Sequence, residues 1–141
     1  MERILGLDVG DVYIGVALSD PFGMIAQSLT TIKRISKEQT YGEIKELIDK
    51  YDVKKVVAGL PKNMNNTLGP QSEKVMKFAE KLKNKYKIEL IYVDERMTTL
   101  SAEKVLIEGS VRRENRKKYI DRIAATYILQ TYLDTQRRNN G

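Results

Sequence analysis

Three short strand-like runs open this chain with no helical period between them, and only afterwards does the apolar spacing change to that of helices. Residues 3–9 and 13–19 read as strands, and Gly10-Asp11 between them supplies hairpin-turn chemistry. Residues 24–32 form a third run, entered through the Pro21-Phe22-Gly23 turn. Then Tyr41, Ile44, Leu47, Ile48 and Tyr51 recur at helical spacing over residues 36–51, with Ser36 as the N-cap. Residues 53–60 contain Val56-Val57-Ala58, the short apolar run of a buried parallel strand, and residues 88–93 read the same way. Helices are predicted over 71–86, 101–108 and 114–135, and residues 61–70, rich in Asn, Pro and Gly, form a loop. This order predicts a mixed five-stranded α/β sheet, its first three strands antiparallel and the rest parallel, with helices on both faces. The 141 residues fit one domain, predicted over 1–135, with a flexible polar tail at 136–141.

Two absences prune the chemistry. There is no cysteine and no histidine, which removes thiolate nucleophiles, zinc sites built on those ligands and Ser-His-Asp triads. Carboxylate, lysine, hydroxyl and a hard oxygen-ligated metal remain, and Mg²⁺ or Mn²⁺ suits such ligands best. No apolar run approaches the roughly 20 residues needed to span a bilayer. The opening leads directly into a strand, so no signal peptide is predicted, and a cytoplasmic location is the expectation. The net charge is +6, and residues 111–141 hold 8 of the 25 basic and 3 of the 19 acidic side chains. A basic segment of this kind is the electrostatic footprint of a polyanion, although a solvated helix face would look the same.

Acidic residues mark three places along the chain. Asp8 ends an apolar strand within Asp8-Val9-Gly10-Asp11-Val12-Tyr13-Ile14-Gly15, a costly place for a charge unless it is paired or bound to metal. By itself it could equally cap the hairpin turn. Asp94 and Glu95 follow the strand at 88–93, where α/β sheets place ligands. They take opposite faces if the strand continues, so only one reaches a shared site, and a capping cluster with an Arg96 ion pair is the alternative. Wheel spacing puts Ile120, Ala124, Tyr127, Ile128 and Thr131 on the buried face of the last helix, with Asp121 inside or at the margin of that arc. A pair with Lys117 is the simpler explanation for Asp121. Together, two strand ends and one close-packed helix can converge into an acidic cluster that cations would compensate. A metal pair there would activate water for in-line attack on a phosphodiester.

The residues also resemble a known family. Leu5-Gly6-Leu7-Asp8-Val9-Gly10, Ile14-Gly15-Val16-Ala17, Gly59-Leu60-Pro61-Lys62-Asn63-Met64-Asn65, Asp94-Glu95-Arg96-Met97-Thr98-Thr99 and Lys117-Lys118-Tyr119-Ile120-Asp121-Arg122-Ile123-Ala124-Ala125 are similar, in order and interval, to the YqgF family, also called RuvX. The resemblance runs from about residue 4 to residue 133. It departs at Tyr13, where relatives often carry Arg or Thr, and at Asn66, which replaces a frequent Gly. It implies an RNase H-like fold related to the RuvC resolvases, with Asp8, Glu95 and Asp121 as catalytic, metal-binding residues. It also implies a nuclease maturing the 5′ end of pre-16S rRNA in ribosome biogenesis, with Holliday junction resolution in DNA recombination and repair as the other proposal.

On this reading Lys62, Asn63, Arg96, Thr98, Lys117, Lys118 and Arg122 contact the nucleic acid, pre-rRNA or branched DNA. A non-catalytic nucleic-acid-binding module is the competing reading, distinguished by the absence of turnover with any divalent metal. An ATP-binding domain shares the D-x-G-x-x-x-x-G turn but needs a second domain for which there is no room. The chain is compatible with a monomer or a homodimer, and symmetric cutting of a junction would need the dimer.

Overall fold

A computed structural model describes residues 3–61 and 69–94 together with a helix over 113–140, whose side chains it describes from 122 to 138. Strands β1 (Arg3–Val9), β2 (Tyr13–Ser19) and β3 (Ala26–Lys33) form the antiparallel meander, followed by helix α1 (Lys37–Lys50), β4 (Val53–Leu60), α2 (Pro70–Tyr86), β5 (Glu89–Asp94) and α3 (Arg113–Asn140). The sheet order is β3-β2-β1-β4-β5. β1 is antiparallel to β2 and parallel to β4, and β5 is parallel to β4, so β1 is the central strand. The helix expected at 101–108 lies outside the described residues.

Local chemistry explains the boundaries. Gly10 donates to the Tyr13 carbonyl at 2.9 Å and closes the β1–β2 hairpin. At the next turn Gly23 takes φ +70°, a left-handed conformation that glycine adopts without steric cost. Asp20 accepts from the Met24 and Ile25 amides at 2.7 and 3.0 Å, and those bonds, Ile25 first, hold its carboxyl below the usual range. Ser36 caps α1 in a reciprocal box with Gln39. Pro70 begins α2 where an amide hydrogen has no helical partner to lose.

Two cores lie on opposite faces of the sheet. On one, Leu5, Leu7 and Val9 of β1 pack with Ile14, Val16, Ile44, Val56, Val75 and Leu82 beneath α1 and α2. On the other, Ala17, Ala26 and Val57 meet Ala125, Ile128, Leu129, Tyr132 and Leu133 of α3. Tyr92 of β5 donates to Glu80 of α2 at 3.1 Å, and burial, then that carboxylate, pushes its phenol up to about 12.

One expectation about α3 needs correction. Its buried stripe is rotated: Tyr127 is 38% exposed, while Leu129, Tyr132 and Leu133 are buried beside Ala124, Ala125 and Ile128. The cause is the close seat on β1. A Cβ built on Gly6 would stand 2.7 Å from the Leu129 Cβ and 3.0 Å from the Ala125 carbonyl oxygen, so residues 125 and 129 define the line of contact. The helix predicted over 114–135 spans Arg113–Asn140. Arg137 and Arg138 in its last turn complement the helix dipole, and Arg137 pairs with Asp134. Smaller shifts at β3, which begins at Ala26 rather than residue 24, follow from Asp20 holding Met24 and Ile25 in the turn.

Gly6→Ala should therefore cost about 1–3 kcal/mol through overpacking, read as a lower urea midpoint; an unchanged midpoint would refute the direct seat of α3 on β1. Gln130 of α3 accepts from the buried Ala26 amide at 2.8 Å and donates to the Met24 carbonyl at 3.0 Å. Gln130→Ala should cost about 1–3 kcal/mol by stranding that amide, with faster hydrogen exchange at Ala26 as the local readout.

Candidate active site

Alternation along β1 decides where Asp8 belongs. Leu5, Leu7 and Val9 face the α1–α2 core, whereas Ile4 packs against the α3 core and Gly6 lies directly under α3. Asp8 shares their parity and so lies on the α3 face, where it is only 7% exposed. Its register partner on β2 is Gly15. On the β4 side the register Leu7↔Ala58, carried one residue on, brings Gly59 alongside. The carboxylate therefore sits on the central strand between two neighbours without side chains.

The direction of α3 follows from three contacts. Tyr132 accepts from Lys55 at 2.9 Å, and Lys55 is the register partner of Ile4 near the start of β1. Ala125 and Leu129 lie over Gly6, further along that strand. α3 thus runs opposite to β1, and earlier helix positions meet later strand positions. Position 121 is one turn, about 6 Å, before Ala125, and Asp8 is two residues, about 6.6 Å, beyond Gly6. The helix backbone carries residue 121 to the level of Asp8.

The ends of β1, β4 and β5 share one sheet edge, with Leu60 opposite Asp94 in the register. Along β5, Ile91 and Val93 pack against the α3 core and Leu90 and Tyr92 against the other. By this alternation Asp94 takes the face away from Asp8. Glu95, Arg96, Thr98, Lys62 and Asn63 lie outside the described residues, and Lys117, Lys118 and Asp121 are described only as backbone positions on α3. Arg122 is half-buried, its carbonyl accepting from Thr126 at 3.0 Å. Among the described residues no group of three or more acidic side chains is assembled for a metal. The contact missed in the sequence is Gly6, whose signal was a glycine inside the apolar run Ile4-Leu5-Gly6-Leu7.

Comparison with known proteins follows the same geometry. A relative from Clostridium botulinum, named "Putative pre-16S rRNA nuclease", is 54% identical over 133 residues, covering 94% of this chain and 97% of its own length. One of the same name from Caldanaerobacter subterraneus is 56% identical over 138 residues, covering 97% and 99%. Among solved structures, Thermus thermophilus RuvC in complex with a Holliday junction substrate superposes with TM-score 0.62 at 11% identity, covering 98% of this chain and 97% of that one. The Fowlpox virus resolvase with its Holliday junction DNA gives 0.56 at 14% identity, covering 95% and 98%. The mixed sheet with its antiparallel opening is thus the RNase H-like fold that these resolvases share. A family model described as "RuvX: Holliday junction resolvase" matches residues 2–135, and the chain belongs to the RuvX family.

Proposed function

We propose that this chain is a divalent-metal-dependent nuclease of the cytoplasm that processes the 5′ end of pre-16S rRNA. The observation that carries the reading is Asp8: a buried carboxylate on the central strand, flanked by Gly15 and Gly59 and lying under α3. A carboxylate so placed is a hard oxygen donor at the end of a strand, where sheets of this kind hold their ligands. The names of the relatives at 54% and 56% identity support the substrate. No helix among the described residues is long and apolar enough to cross a membrane, which accords with the proposed compartment.

Asp8, Glu95 and Asp121 form the proposed ligand set. The alternation along β5, which turns Asp94 away from Asp8, and the resemblance to the RuvX family support Glu95 as its second member, and the antiparallel course of α3 supports Asp121 as its third. All the donors are hard carboxylate oxygens in a chain without His or Cys, the set that Mg²⁺ or Mn²⁺ prefers. Bound there, such ions would supply charge neutralisation at the phosphodiester and a water acidified towards neutral pH. The chain's own residues do the rest. Glycines beside Asp8 let the backbone of the substrate approach the carboxylate. Lys62, Arg96, Lys117, Lys118 and Arg122 neutralise and position phosphates, and Asn63 and Thr98 hydrogen-bond the chain beside them.

Resolution of four-way DNA junctions is the second reading, favoured by the family description and the RuvC-like fold. Purified protein incubated with precursor rRNA and with four-way junctions, each with and without Mn²⁺, separates the two. Cleavage of the precursor near the mature 5′ end is expected, and cleavage confined to junctions would transfer the assignment to DNA. Asp8→Asn should reduce metal-dependent cleavage to background while leaving the fold intact, read as an unchanged circular dichroism spectrum. Undiminished turnover by that variant would rule out this centre.

A further inference from the structure

The same sheet edge carries a second charged feature on its other face. A groove of about 440 Å³ opens where the β1–β2 turn, the β3–α1 junction and α2 meet. Arg34, Lys37, Lys74, Lys77 and Lys81 line it, against one carboxylate among the described residues, Asp11. That carboxylate lies 3.8 Å from Lys74, both side chains being well exposed, so it offsets little of the positive field. Tyr41 and Phe78 stack at 4.8 Å in its wall and are buried, leaving no open ring for a base. The recognisable chemistry is phosphate.

Arg34 is the fixed point of the groove. Its guanidinium donates to the Gly10 carbonyl at 2.8 Å and lies 5.0 Å from the Phe78 ring centre. Gly10 is two residues beyond Asp8, so the groove starts where the carboxylate strand ends. α2 also segregates its charges. Lys74, Lys77 and Lys81 line the groove, whereas Glu80 turns to Tyr92 on β5. From Lys74 to Lys81 the helix rises about 10 Å, a length of duplex axis along which one strand carries about three phosphates. A merely solvated face would mix signs, as the far end of the sheet does with the pairs Lys45–Asp49 and Lys54–Asp52.

We propose that this groove is a second phosphate-binding track, which holds the backbone of the nucleic acid after it leaves the Asp8 edge and passes around the β1–β2 turn. The proposal rests on the nucleic-acid reading above and adds to it a surface on the α1–α2 face.

The test compares Lys74→Gln/Lys77→Gln/Lys81→Gln with Lys50→Gln/Lys54→Gln/Lys85→Gln, which removes the same net charge from exposed positions at the opposite end of the sheet. Affinity for a precursor rRNA fragment and for a four-way junction is measured across a salt series. The slope of log K against log salt should flatten by about 2–3 in the groove variant and remain near the parent value in the control. An unchanged slope in the groove variant, or equal flattening in both, overturns the proposal. Inorganic pyrophosphate is the small-anion arm: if it binds as tightly as the long chain and is lost in the same variant, the groove is a small-anion site and no track. Cleavage with Mn²⁺ is read on the same samples. A parent that binds but never cleaves overturns the nuclease reading while the groove stands, and a parent that cleaves, with the variant slope unchanged, overturns the groove alone.

Discussion

The seat of α3 on β1 at Gly6 is the contact on which the rest of the arrangement depends. With a Cβ at residue 6, the Leu129 Cβ and the Ala125 carbonyl would have to withdraw. The helix would then rise off the central strand, and everything on its N-terminal half would rise with it. Small residues on both partners, Gly6 on the strand and Ala124 and Ala125 on the helix, set how near position 121 comes to Asp8. Interiors are close-packed, so a displacement at one end of such a contact is transmitted along a rigid helix rather than absorbed. Packing and chemistry share one requirement here: the helix must lie flat on the strand whose end carries the carboxylate.

Charge is arranged around that seat in a consistent way. The interior of the α3 face is apolar from Tyr132 back to Ala125, and the carboxylate of Asp8 is buried on the same face towards the sheet edge. At the opposite end Lys55 is shared between Tyr132 and Glu89, a local pairing. The positive side chains of the groove gather instead on the other face at the Asp8 edge. A backbone-binding protein gains affinity from such tracks without gaining sequence preference, because phosphates carry no base information. A site at the edge of a sheet is reachable from both faces, which allows one strand of substrate to meet both.

Much of the fold was readable in the order of periods. The ranges of β1, β2 and β4 matched expectation because their apolar runs are bounded by Gly10-Asp11, Asp20-Pro21 and Asp52, whose turn chemistry is local. The α1 start was readable because Ser36 and Gln39 complete a cap within four residues. The buried arc of α3 was not. Apolar residues occur nearly all around that helix, Ile123, Tyr127 and Leu133 among them, so spacing alone could not choose the face, and the choice fell to the shape of β1 at Gly6. Asp8 could be singled out as an acid at the end of an apolar strand, while the glycines beside it come from β2 and β4 and are distant in sequence.

The sequence by itself determined the element order, the antiparallel opening, the exclusion of thiol and imidazole chemistry, and the family, because these are properties of local pattern and of which residue types are present. The rotation of α3 about its axis, the burial of Asp8 and the sign of the groove were decided only by tertiary structure. Residues 1–110 carry 17 basic and 16 acidic side chains, a near balance that conceals the groove in any count along the chain. Folding sorts those charges in space: α2 turns Glu80 towards β5 and places Lys74, Lys77 and Lys81 in the groove with Arg34. A linear sum cannot register this, because electrostatic potential depends on distance through the fold and not on separation along the chain.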